Sequence, residues 1–181
     1  MSVIFVIDID GTVCDSIGRV KEICKNAGKT PTNDIDTNID LDLENIWTDE
    51  VMKEFLREEN IMKDEVILGA EKILEIAHRC RATPFFLTGR NEYARKATRK
   101  WLSVKLGVPN NIPLIMRPYE MKDGYTTDCK EQIFKEQLYS LGGPHSTYIF
   151  FEDNPETAKM YARYGLVLKS PECWAIIGDN L

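Results

Sequence analysis

Asp8 and Asp10 stand two residues apart at the end of the apolar run in VIFVIDIDGTVCDS, residues 3–16. In a strand, residues at i and i+2 project to one face, so the two carboxylates would share a side while Ile9 points to the other. Like charges that close repel, and the arrangement is tolerable mainly when a cation sits between them or one carboxyl is protonated. Gly11 lets the chain leave the sheet sharply, and the Thr12 hydroxyl can hold the turn. On spacing alone, a capped turn with solvated acids fits as well.

Polar groups at the ends of later apolar runs shift that balance. FFLTGR finishes in Thr88, Gly89 and Arg90, which supply a hydroxyl, a flexible turn and a cation suited to phosphate. YIFFEDN places Glu152 and Asp153 directly after another such run. Lys130 opens the helix that follows IPLIMRP and its loop, and a buried lysine near acids needs them as counter-charge. Singly, Thr88 reads as a helix cap and Glu152 as a solvated first turn. Gathered on one edge of a sheet, the set reads as a site for a cation and a phosphate.

The elements that must position these groups alternate. Residues 3–8, 83–87, 112–116, 147–151 and, more weakly, 166–168 have the continuous apolar character of strands covered on both faces. Residues 70–79, 92–106, 130–141 and 155–164 read as helices, the last with Pro155 at a first helical position. This pattern predicts an α/β fold, a doubly wound, Rossmann-like parallel sheet whose ligands gather at the carboxyl ends of its strands. The exception is residues 17–66, where helical stretches at 18–27 and 49–59 flank an acidic loop. The expected organisation is a core of residues 1–16 and 67–181 with a small helical cap inserted at 17–66. The cap's loop, TNDIDTNIDLDLE, resembles a calcium loop at Asp34, Asp36 and Asn38, but Ile39 and Asn45 stand where the turn glycine and the bidentate Glu belong. Gly28-Lys29-Thr30 imitates the end of a P-loop without its earlier glycine, so no nucleoside-triphosphate cradle is expected.

At 181 residues the chain suits one core with an insertion, and 43% hydrophobic with 29% charged residues is the balance of an ordinary globular protein. No membrane-length apolar run and no secretory leader is seen, which gives the expectation of a cytoplasmic protein. The five cysteines, Cys14, Cys24, Cys80, Cys129 and Cys173, show neither zinc-site nor disulfide spacing. A net charge of −6 opposes an extended nucleic-acid-binding face, yet leaves room for a basic pocket that takes a phosphorylated end. Arg95, Lys96, Arg99 and Lys100 make a basic helix face of the kind that is usually solvated. Trp101 and Trp174 read as core residues, and His78 and His145 have no motif context.

The order D-x-D-G-T, h-h-h-T-G-R, Lys, h-h-h-E-D resembles the four motifs of the haloacid dehalogenase superfamily and spans nearly the whole chain. The resemblance implies a phosphatase in which Asp8 accepts the phosphoryl group and Asp10 serves as acid and then base. Thr88 and Lys130 would hold the phosphoryl oxygens. Asp8, the carbonyl of Asp10 and Asp153 would ligate Mg²⁺, with Glu152 orienting a metal-bound water. The presence of Asp10 favours phosphoester hydrolysis over dehalogenation, which has no leaving oxygen to protonate.

DIDGTVCDSIGR, ATRKW, IMRP, DCKEQIF and ECWAIIGD also look like segments of the 3′-phosphatase domain of phage-type polynucleotide kinase-phosphatases. By that resemblance Arg19, Gly89, Arg90 and Arg117 meet the substrate, a phosphorylated nucleotide or nucleic-acid end. Two departures stand out. Thr126 occupies the place of the family's aspartate four residues before the lysine, with Asp123 and Asp128 as candidate substitutes, and the segment between Arg19 and Phe86 is longer than in that family. A phosphatase of 5′-nucleotides or another small phosphometabolite, and a non-catalytic phosphate-binding module, remain open alternatives. With no P-loop, a 5′-kinase activity would have to come from a separate partner chain.

Overall fold

The computed structural model describes residues 2–28, 49–121, 126–142 and 145–174. A five-stranded, wholly parallel sheet runs through its centre: β1 (Val3–Ile7), β4 (Ala82–Asn91), β5 (Leu114–Arg117), β6 (Thr147–Glu152) and β7 (Leu166–Lys169), in the order β5-β4-β1-β6-β7. β1 is central because its five residues, VIFVI, are apolar on both faces and can be covered from both sides. Phe5 and Ile7 enter a core with Phe86, Ile73 and Trp101, while Ile4 and Val6 enter a second core with Leu87, Phe134 and Phe150. Each such side chain, fully buried, contributes about 1.5–3 kcal/mol.

Helices cover both faces, as the alternation of elements predicts. α4 (Ile73–Arg79) and α5 (Arg95–Lys105) belong to the first core. α6 (Thr126–Ile133), extended by a π-helical stretch Phe134–Tyr139 and a last turn α7 (Ser140–Gly142), packs on the second with α8 (Pro155–Tyr161). α5 buries Ala97, Thr98, Trp101 and Leu102, a stripe at helical spacing, and turns its basic side outward, where Lys100 pairs with Glu58 at 2.6 Å. Asn154 caps α8 by accepting the Thr157 N–H, and Pro155 sits at the first helical position where its missing donor costs nothing.

The segment after β1 starts with β2 (Cys14–Asp15) and α1 (Ile17–Asn26), and resumes as α2 (Asp49–Phe55), α3 (Glu58–Ile61) and β3 (Glu65–Val66). β2 and β3 pair antiparallel, so both ends of this excursion are fastened together. Ile61 is fully buried in the first core. The helix expected over 49–59 is interrupted between α2 and α3, where Asn60 Nδ2 donates to the Glu54 carbonyl at 2.8 Å. The acidic loop at 32–44, Lys29, Thr30 and Asp123 lie outside the described residues. Among the described residues, no helix is long and apolar enough to cross a membrane.

Candidate active site

From β1 the chain crosses to β4 and β5 on one side, then returns to β6 and β7 on the other, so the strand order reverses beside β1. The carboxyl ends of β1, β4 and β6 therefore border the crevice where ligands of such sheets bind. Asp8 continues β1 by donating its N–H to the Phe151 carbonyl at 3.0 Å. The next residues fold into a tight turn in which the Ile9 carbonyl accepts from the N–H groups of Thr12, Val13 and Cys14. Gly11 adopts φ +75, and a Cβ there would lie 2.0 Å from Asp153 Oδ2, so glycine is required for both the turn and the closeness of Asp153. The Thr12 carbonyl is held from afar by Ser170 Oγ at 2.9 Å and Trp174 Nε1 at 2.7 Å.

Asp8, Glu152 and Asp153 converge at this point, each offering a carboxylate oxygen within 4.8 Å of the others. Lys130 Nζ reaches in from α6, 3.0 Å from Asp8 Oδ1 and 2.9 Å from Glu152 Oε2. The helix starts earlier than its apolar pattern indicates, so Lys130 lies in the second turn of α6 and not at its opening. Burial raises the Asp8 pKa to about 6; Lys130 pulls it down, and the charges of Asp153 and Asp10 add to the rise. Burial also raises Glu152 and Asp153 against the pull of Lys130. Burial works to lower Lys130, but Asp8 and Glu152 outweigh it and keep the ammonium charged. With all three acids ionised beside one ammonium the cluster would carry a net charge of about −2, which a divalent cation would neutralise. An all-oxygen donor set of this kind fits Mg²⁺.

Asp10 has separate partners. Arg90 grips it with two hydrogen bonds, Nε to Oδ2 at 2.8 Å and Nη2 to Oδ1 at 2.7 Å, and Arg19 Nη2 stands 3.5 Å from Oδ1. Burial raises the Asp10 pKa, yet the charge and hydrogen bonds of Arg90, with Arg19 behind them, bring it down to about 2. The expectation that strand geometry sets Asp8 and Asp10 on one face is therefore corrected. β1 ends at Ile7, so the two-residue period of a strand does not extend to Asp10, and each aspartate has its own counter-ion. About a quarter of the Asp10 side chain is exposed (26%), which leaves it within reach of a substrate.

Asp64, in the loop between α3 and β3, is the residue that sequence reasoning misses. Its buried carboxylate accepts from Arg19 Nε at 2.8 Å, Arg90 Nη2 at 3.4 Å and the Cys14 thiol at 3.2 Å. Trp101 Nε1 fixes its carbonyl at 3.0 Å. Arg19 also lies over the Phe55 ring, 3.9 Å from its centroid, and donates to the Phe55 carbonyl. Asp10, Cys14 and Asp64 form a second trio of potential ligands. Two guanidiniums already neutralise it, so it has no need of a metal.

Of the other predicted residues, Thr88 is buried and its hydroxyl accepts the Arg90 N–H at 3.1 Å, which shapes the turn through Gly89. Arg117 ends β5 in register with Asn91 of β4, one strand further from Asp8. Asp128 is exposed in the first turn of α6. Trp101 and Trp174 are core residues as expected, Trp174 stacking on Phe151 with centroids 5.2 Å apart.

The fold resembles those of solved structures. A hydrolase from Pseudomonas syringae matches over 100% of this chain and 99% of its own, with TM-score 0.51 and 14% identity. A putative β-phosphoglucomutase from Thermotoga maritima matches over 100% of both chains, with TM-score 0.51 and 14% identity. CbbY from Rhodobacter sphaeroides, solved in complex with phosphate, matches over 94% of this chain and 87% of its own, with TM-score 0.55 and 12% identity. The fold is theirs. No protein-family profile and no curated protein matches the chain in sequence.

Proposed function

We propose that this protein is a Mg²⁺-dependent phosphomonoesterase of the haloacid dehalogenase type, acting on the 3′-phosphate of a nucleotide or polynucleotide end. The observation that carries the reading is Asp8: a buried carboxylate at the carboxyl end of the central strand, paired with Lys130 and set among Glu152 and Asp153. A buried acid cluster of this kind is costly unless ions complete it. The phosphate bound by CbbY and the activity named for the Thermotoga protein support phosphoryl chemistry on this fold.

In the first step an Asp8 oxygen forms a bond to phosphorus as the ester P–O bond breaks, and the leaving oxygen takes a proton from Asp10. In the second, Asp10 removes a proton from water as that water attacks the aspartyl phosphate, and Asp8 is released. With its pKa at about 2, resting Asp10 is a carboxylate, which suits the second step. For the first it must be released by Arg90 and take up a proton from solvent before it can give one to the leaving oxygen, and an incoming phosphate dianion competes for the same guanidiniums. Lys130 offsets charge on the phosphoryl oxygens, and Thr88 and Gly89 shape the turn beside them. Asp8, the Asp10 carbonyl and Asp153 would hold Mg²⁺, with Glu152 behind them; when bound, the ion supplies charge to the phosphoryl group. Residues 17–66 would act as the cap that selects what enters.

The resemblance to polynucleotide 3′-phosphatases gives Arg19 and Arg90 to the substrate; both lie at Asp10, beside the place a phosphate would take, and this supports the substrate assignment. The test is phosphate release in Mg²⁺ from a 3′-phosphorylated oligonucleotide, a 3′-mononucleotide and a 5′-mononucleotide. Preference for either 3′ substrate is expected; preference for the 5′-mononucleotide would replace the assignment, and no release from any ester would point to a binding module.

A further inference from the structure

Tyr93 and Tyr119 expose 69% and 44% of their surface yet lie against each other, edge to face, with ring centroids 4.5 Å apart. Tyr93 follows Arg90 by three residues in the turn that leads into α5, and Tyr119 follows Arg117 by two at the end of β5. Asn91 joins the two turns: its Oδ1 accepts the Tyr93 N–H at 3.1 Å and its Nδ2 donates to the Pro118 carbonyl at 3.3 Å. Beside them Arg117 holds its Nε buried with no hydrogen-bond partner among the described residues. A buried donor left unpaired costs free energy that a ligand oxygen would recover.

We propose that Tyr93, Tyr119 and Arg117 form a nucleobase subsite for the nucleotide whose phosphate occupies the Asp8 site. This assignment rests on the phosphatase reading above and narrows its substrate class. In an edge-to-face pair each ring keeps a face free for a planar ligand, and bases stack on aromatic rings with little regard to sequence. Two exposed rings beside a guanidinium with an unpaired buried Nε are matched by a ligand that is planar at one end and anionic nearby, as a nucleotide is. A sugar phosphate without a base would leave both rings unused. The two turns project from the ends of β4 and β5, on the side of β1 where Arg90 already stands, so the base would extend from the Asp8 site toward the β5 edge.

The test compares kcat/KM for a nucleoside 3′-monophosphate and for the same sugar 3-phosphate lacking its base, in wild type, Tyr93→Ala, Tyr119→Ala and Tyr93→Phe. Wild type is expected to favour the base-bearing substrate by roughly tenfold or more, mainly through KM. That ratio should collapse toward one in the alanine variants and survive in Tyr93→Phe. A wild-type ratio near one, or a ratio that persists in both alanine variants, would overturn the subsite. Calorimetric titration with the nucleoside 3′-monophosphate separates the two readings. If neither substrate is hydrolysed but binding still weakens about tenfold in Tyr93→Ala, the phosphatase reading fails and the subsite stands.

Discussion

Replacing Asp64 by alanine should destabilise the protein far more than its position in a connecting loop suggests. Its carboxylate is completely buried and accepts from both Arg19 and Arg90, whose side chains are only 1% exposed. Removing one partner from a buried ion network costs about 3–5 kcal/mol, because the remaining charge is stranded without water. Arg90 keeps its two bonds to Asp10, which places the expected loss at the lower end, near 3 kcal/mol. For a chain of this size each kcal/mol moves Tm by about 2–4 °C, so Asp64→Ala should melt roughly 6–12 °C lower. Asp64→Asn keeps an acceptor for Arg19 and should lose less. Glu65→Gln is the control: the neighbouring acid is exposed, with Lys105 3.4 Å away, and contributes little. Thermal unfolding by circular dichroism is the assay. Activity should fall as well, by roughly 10- to 100-fold on alkyl phosphates, since both guanidiniums would then be left to Asp10 and slow its release. An Asp64→Ala protein that melts within about 2 °C of wild type would refute the picture of a standing counter-ion.

Asp8→Asn should fold normally and lose activity by roughly 10⁴-fold or more, as for other residues that form the reacting bond; an Asp8→Asn protein that still hydrolyses an aryl phosphate would sink the nucleophile assignment. Gly11→Ala brings a Cβ to 2.0 Å from Asp153 Oδ2 at a positive φ, so it should raise the Mg²⁺ concentration for half-maximal activity at least about tenfold, and unaltered Mg²⁺ dependence would show Asp153 to be dispensable. In the metal-free protein Asp8 titrates at about 6, and only its carboxylate can bind a cation. Mg²⁺ affinity measured by calorimetry should thus strengthen at least about tenfold per pH unit as pH rises toward about 6, whereas a flat profile from pH 5 to 7.5 would contradict the burial of Asp8 in the site.

Much of the site was legible because its residues close apolar runs. Asp8 and Asp153 directly follow buried strands, Glu152 ends one and Thr88 lies in the last part of another, and a sheet that alternates with helices must bring such ends together. Arg90 was legible as a phosphate cation, but its bidentate hold on Asp10 spans 80 positions and leaves no local trace. Asp64 could not be found at all: it sits outside any periodic segment, and its value comes from partners 45 and 26 residues away. The separate counter-ions of Asp8 and Asp10 leave no mark in their spacing, because the strand period ends at Ile7, where the chain begins to turn. Trp101 illustrates the same limit, since its burial follows from helical spacing while its hydrogen bond to Asp64 depends on where a distant loop returns.

The turn that carries Asp8 and Asp10 is spelled out within the first fourteen residues, but the carbonyl of Thr12 is held by Ser170 and Trp174, 158 and 162 positions later. During synthesis this turn therefore emerges early and stays unsupported until the strand after α8 has been made and laid beside β6. A chain interrupted before Ser170 would retain every acidic residue of the site without the bolt that steadies it. The geometry of the turn is in this sense delayed until a late segment arrives, so that a half-made molecule carries the acids without the support that sets them.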